Sequence, residues 1–115
     1  MLSSKHTTGT TKLEDVQNSV VAQLRRDYNG KSYEKIVGIC MAGLPEEAGE
    51  VSGLYKRELR DLPKDRERCT REKYVEELGD VLWYLTAVAS LYGISLEEIW
   101  FYNTHKLEER YEGIH

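Results

Sequence analysis

The chain is poor in the residues that would staple or metallate a small protein: it has two cysteines, two prolines, three histidines and one phenylalanine. Cys40 lies in an apolar stretch and Cys69 in a charged one. That pair makes neither a disulfide framework nor a zinc site, and it suits a reducing, cytoplasmic home. The one Glu-x-x-His spacing, Glu112 to His115, spans Gly113, so the paired motif of a di-iron carboxylate bundle is missing. His6 and His105 have no ligand partner in sequence. Basic surplus is missing too: 16 Lys and Arg stand against 20 Asp and Glu, a net charge of −4, which argues against a nucleic-acid polymer as partner. No apolar run reaches the roughly 18 residues of a membrane span. Residues 1–11 are polar, without the apolar stretch of a secretory signal, and read as a flexible arm. No period-2 alternation marks a strand.

What is present is helical periodicity. Thr11-x-x-Glu14 is a capping-box pattern, and Leu13, Val16, Val20, Leu24 and Tyr28 follow at helical spacing until Asn29-Gly30 stops the helix. A second segment runs from about Ser32 to Arg60. Gly43-Leu44-Pro45 is expected to break or kink it, placing Glu46 and Glu47 in the first turn of a new helix, at its favourable dipole end. A third runs from near Thr70 to Gly93, with a broad apolar face of Tyr74, Leu78, Val81, Leu82, Leu85, Val88 and Ala89. Trp83 and Tyr84 widen that face and read as core. Ser95-x-x-Glu98 opens a fourth, which Gly113 closes. The expected fold is all-α, one domain over residues 12–115: an antiparallel helical bundle whose over-wide apolar face is completed by oligomerisation.

Within these apolar helices lie Glu46-Glu47-x-x-Glu50 and Glu77-x-x-Asp80. Residues three apart on a helix are neighbours, about 5–6 Å between Cβ atoms. Glu47 and Glu50 therefore share one stripe, and Glu77 and Asp80 share another. If the two helices pack antiparallel, four carboxylates face one another. Like charges held close repel, and a hard divalent cation relieves them: oxygen-only ligation favours Mg2+ or Mn2+, with substrate phosphate completing the shell. Exposed acidic pairs are common on helices, but Asp80 directly precedes the apolar run Val81 to Leu85. Glu46 points about 100° away from Glu47.

Basic residues accompany the acids. Lys73 lies one turn before Glu77, and Lys106 and Arg110 are one turn apart on the fourth helix. Beside a carboxylate–metal site they would neutralise a polyphosphate; alone they would read as solvated pairs. Asn103 can offer its amide to a phosphate or a base edge, and Trp100 can stack on a base. The charged connector 61–69 reads as a solvated loop, or as a positive edge drawing in polyphosphate.

Three segments together, Glu46-Glu47-Ala48-Gly49-Glu50-Val51, Glu77-Leu78-Gly79-Asp80-Val81 and Asn103 to Tyr111, resemble the MazG-type nucleoside triphosphate pyrophosphohydrolases. The resemblance spans about residues 12–112. That all-α superfamily includes dimeric dUTPases, dCTP pyrophosphatases and phosphoribosyl-ATP pyrophosphohydrolase. The resemblance implies Mg2+-dependent hydrolysis of a nucleotide to monophosphate and pyrophosphate, with Glu47, Glu50, Glu77 and Asp80 as metal ligands. It implies phosphate binding by Lys73, Lys106 and Arg110, and assembly as a homodimer or homotetramer. Glu46 or Glu50 is then the carboxylate that orients or deprotonates the attacking water. Pro45 departs from the family pattern, as does a single domain where the bacterial enzymes have two in tandem. The competing readings are a non-catalytic helical module that binds nucleotide or protein, and a phosphoribosyl-ATP hydrolase. The first would be marked by a lost acidic ligand, and none of the four is lost.

Overall fold

The computed structural model describes residues 10–60 and 68–114, with the backbone alone at 112–114. The N-terminal arm up to residue 9, connector residues 61–67 and His115 lie outside the described residues. Those described form four helices and no strand: α1 (Leu13–Asp27), α2 (Tyr33–Leu59), α3 (Arg71–Leu91) and α4 (Leu96–Ile114). Among the described residues the expected all-α class holds, and the four expected helices are present.

Local chemistry sets most of the ends. Ser32 Oγ accepts from the Lys35 N–H and Thr70 Oγ1 from the Lys73 N–H, each satisfying an orphan donor of the first turn. Ser95 and Glu98 make the full reciprocal capping box. The first helix begins one residue later than Thr11-x-x-Glu14 suggests. Asp15 is the acid that reaches back, accepting from the Lys12 N–H at 3.0 Å. Gly30 and Gly93 take the positive φ values of 86° and 69° that let the chain turn out of α1 and α3.

The expected break at Gly43-Leu44-Pro45 does not occur. α2 runs unbroken for 27 residues with Pro45 inside it, so Glu46 and Glu47 sit mid-helix rather than at a dipole end. A proline there removes one hydrogen bond, to the carbonyl of Met41. Pro45 and Met41 are both exposed, so water can reach that carbonyl. Packing of α2 along α3 outweighs a local penalty of about 3 kcal/mol.

α2 and α3 pack antiparallel, and the pairs that meet run in opposite order along the two chains. Tyr33 OH donates to the Leu91 carbonyl, Gly43 faces Tyr84, and Tyr74 OH donates to Glu58 Oε2 at 3.0 Å. Near the α3 start, Cys69 donates its thiol to the Leu54 carbonyl at 3.2 Å. α1 lies across α3 in the same antiparallel sense. The core gathers Val20, Leu24, Cys40 and Ala87, with Tyr28, Ile36, Trp83, Tyr84, Val88 and Leu91 around them. Leu54 is fully buried beyond it, a side chain whose burial contributes about 1.5–3 kcal/mol.

α3 and α4 meet at a bend of 100°, and α4 packs on α1. Gln17 secures that corner. Its amide donates to Ser90 Oγ at 3.0 Å and to the Ile94 carbonyl at 2.8 Å, and accepts from the Leu96 N–H at 3.1 Å. Apolar side chains remain exposed along α3 at Val75, Leu78, Leu82 and Leu85, and along α4 at Ile99, Trp100, Phe101, Tyr102 and Leu107. No single described helix is long and apolar enough to cross a membrane.

Candidate metal centre

Antiparallel packing brings the two acidic motifs together. One carboxylate oxygen each from Glu47 on α2 and Glu77 and Asp80 on α3 lie within 4.8 Å of one another. They differ in setting: Glu77 is buried, Glu47 half-buried and Asp80 exposed. The trio therefore grades from the helix interface out to solvent. Glu50 and Glu46 are exposed and lie outside it, so three of the four expected ligands converge.

The electrostatics follow from crowding. The Glu47 carboxyl is held above its ordinary pKa, first by partial desolvation and then by the negative charges of Asp80, Glu46, Glu77 and Glu50. Lys73 offsets part of this. Its ammonium lies 3.3 Å from Glu77 Oε1 and 3.4 Å from Glu76 Oε1. Those two hydrogen bonds raise the lysine's own pKa. Hard oxygen donors from two helices, repelling at this range and open to solvent at Asp80, fit a hard divalent cation such as Mg2+. A donor set of oxygens alone favours such hard cations over zinc or iron, whose sites commonly add nitrogen or sulfur ligands.

The carboxylates border a cavity of about 380 Å³ lined by Glu47, Asp80, Trp83 and Tyr84 and, from α1, by Gln23, Asp27 and Tyr28. Trp83 and Tyr84 pack on the core as the sequence suggests, and they also wall this cavity. Their rings meet edge-on, with centroids 5.1 Å apart. Burial raises the Tyr84 hydroxyl pKa, with Tyr28, Glu47, Cys40 and Glu46 adding to it, so it stays neutral. Asp27 is kept ionised by hydrogen bonds from Arg26 at 2.9 and 3.3 Å. The sequence pattern does not single out Gln23, and it places Tyr28, the residue that caps α1, only in an apolar stripe. The one signal was Asp27 itself, an acid in the last turn of a helix, where the dipole disfavours it.

The α4 residues stand apart. Asn103 and Lys106 line a separate cavity of about 360 Å³ with Ile94, Glu98, Ile99 and Tyr102. Trp100 and Arg110 are exposed. None of these four lines the carboxylate cavity within one chain.

A family model for the MazG nucleotide pyrophosphohydrolase domain matches residues 38–115, the span that holds every carboxylate of the trio. Over 74 residues the chain is 36% identical to "Uncharacterized protein YvdC" of Bacillus subtilis (strain 168), covering 60% of this chain and 70% of that one. It is 35% identical over 68 residues to "Gene 37 protein" of Mycobacterium phage L5, covering 59% of this chain and 60% of that one, less than two thirds of the phage protein. No solved structure matches. With the family model spanning most of its length and both acidic motifs, this chain belongs to the MazG nucleotide pyrophosphohydrolase domain family.

Proposed function

We propose that the protein is a Mg2+-dependent nucleoside triphosphate pyrophosphohydrolase, with Mn2+ as a possible substitute, releasing a nucleoside monophosphate and pyrophosphate. The observation that carries this is the convergence of Glu47, Glu77 and Asp80 within 4.8 Å, at the mouth of a cavity large enough for a ligand.

Bound there, the cation supplies Lewis acidity at phosphate oxygens and a more acidic water. The protein's own residues do the rest. Glu47, Glu77 and Asp80 hold the ion. Glu46 or Glu50, on the neighbouring α2 surface, accepts the proton as water adds to the α-phosphorus. The bond from that phosphorus to the α,β-bridging oxygen breaks, and the electron pair leaves with pyrophosphate. Lys73, beside Glu77, stabilises charge on the phosphates. Glu50 is retained as a further ligand on the strength of the motif, its charge being near enough to add to the raised pKa of Glu47.

We also assign a homodimer or a homotetramer. The stripe of Val75, Leu78, Leu82 and Leu85 and the aromatics of α4 are large apolar side chains left exposed, the kind of surface that association buries. A second copy would cover them. It would also give Lys106, Arg110, Asn103 and Trp100 a substrate to contact, the first two at phosphate. Two free cysteines suit the cytoplasm.

The test is pyrophosphate release from a panel of nucleoside triphosphates, with Mg2+ and with EDTA. Mg2+-dependent release that EDTA stops is the expected result. Absence of release from every member, in folded protein that binds Mg2+, would overturn this reading.

A further inference from the structure

Glu77 is the innermost of the three carboxylates, 8% exposed, and its charge needs a partner there whether or not a metal is bound. Lys73 supplies one. Its ammonium lies 3.3 Å from Glu77 Oε1, and among the described residues no other cation pairs with a member of the trio. The pairing is set by position in the helix. Thr70 Oγ1 accepts from the Lys73 N–H, which fixes Lys73 in the first turn of α3, and Glu77 follows four residues on, along the same face.

An ammonium and a divalent cation on one carboxylate repel each other, and around a side chain as sheltered as Glu77 that repulsion is weakly screened. The ammonium is the one that can leave. It rides on a flexible stem, its side chain is 40% exposed, and it already has a second partner, Glu76 Oε1 at 3.4 Å. Glu76 is exposed and is not one of the trio. Seating a metal on Glu47, Glu77 and Asp80 therefore leaves Glu76 free to keep the lysine.

We propose that Lys73 is a resident counter-ion that occupies Glu77 until the metal displaces it, and that Glu76 is a positioning residue that then holds the lysine beside the metal. This rests on the metal-binding part of the reading above. Binding then has an order: the ion seats first, and only afterwards is Lys73 released from Glu77 to meet phosphate. The alternative keeps Lys73 on Glu77 throughout, where it would orient the carboxylate as a ligand. The two arrangements differ in sign. Removing a competitor tightens metal binding, whereas removing an orienting partner weakens it.

The experiment is calorimetric titration with Mg2+ alone, without nucleotide, at about 0.15 M salt. Lys73→Met should tighten Mg2+ binding by about fivefold or more. Glu76→Gln should weaken it in the wild type by about threefold more than in the Lys73→Met background. That excess is the coupling of a double-mutant cycle, and it subtracts the plain through-space effect of the Glu76 charge. Both side chains are solvent-accessible, so urea midpoints should stay near the wild type, and a merely structural role would move those midpoints without moving Mg2+ affinity. Unchanged or weaker Mg2+ binding in Lys73→Met, or equal effects of Glu76→Gln in the two backgrounds, would overturn the proposal and leave the pyrophosphohydrolase reading standing. The expected coupling without turnover of any triphosphate would sink the reaction and keep the counter-ion. No Mg2+ binding by any variant or by the wild type would overturn both.

Discussion

Gly43 lies directly beneath the ring of Tyr84. A Cβ at position 43 would stand 2.6 Å from Tyr84 Cδ1 and 2.7 Å from Cζ, too close for any side chain to be accommodated without displacing the ring. The glycine thus sets how near α2 and α3 come, one turn from Glu47. Gly43→Ala should destabilise the fold by about 1–3 kcal/mol through overpacking, despite alanine's better helix propensity. Urea unfolding measures this. An unchanged midpoint would mean that the two helices do not meet as described.

Asp80 is exposed, so changing it should be cheap for the fold and expensive for the site. Asp80→Ala should keep its helical circular dichroism while losing Mg2+ binding by calorimetry and losing turnover. Wild-type turnover in this variant would remove the carboxylate trio as the seat of activity.

Without metal, the crowded carboxylates should make stability depend on pH in a defined direction. The folded pKa of Glu47 stands above its ordinary value. Its contribution to stability is therefore present below the ordinary carboxylate range, at about pH 4, and is lost as pH rises through the raised value. In EDTA at pH 7, Glu47→Gln should melt at a higher temperature than the wild type, and the difference should vanish at about pH 4. Adding Mg2+ at pH 7 should raise the wild-type melting temperature and leave that of the variant unmoved. Equal melting temperatures in EDTA across this range would contradict the crowding.

Lys73 has a second expected use once a cation takes over the neutralisation of Glu77. Lys73→Met should lower kcat/KM by about 10²–10³-fold, the size of losing one preorganised charge at a transition state. Steady-state kinetics decide it, and a loss under threefold would leave Lys73 as a surface ion pair.

Gln17 joins α1 to the turn between α3 and α4 by three hydrogen bonds. Gln17→Ala should cost about 1–3 kcal/mol because it strands partly buried partners. Hydrogen exchange at the Leu96 amide should quicken more than at Leu54, which lies far from that corner. Uniform change at both would mean that the corner has no stability of its own.

Much of this architecture was legible because its signals are local. Ser32, Thr70 and Ser95 announce three helix starts, and Gly30 and Gly93 announce two stops. The acidic pairs reveal themselves through an i, i+3 spacing next to apolar runs. What escaped is tertiary. Pro45 reads as a break because the sequence does not show α3 lying along the whole of α2. Gln23, Asp27 and Tyr28 carry no motif and join the cavity only because α1 docks antiparallel on α3. Lys106 and Arg110 look like neighbours of the acids until the 100° bend carries α4 elsewhere, and a four-residue connector does not encode that angle legibly.

The division of labour between helices has an evolutionary consequence. The carboxylates ride on the α2–α3 hairpin, inside the span that the family model matches, whereas the opposite wall is furnished by α1 and its capping residue, outside that span. On the proposed reading, the residues that hold the metal and the residues that wall the cavity opposite them are written in separate stretches of the gene. Substitutions in α1 would then reshape the cavity while the carboxylates are inherited intact, and substitutions at the carboxylates would remove the metal site.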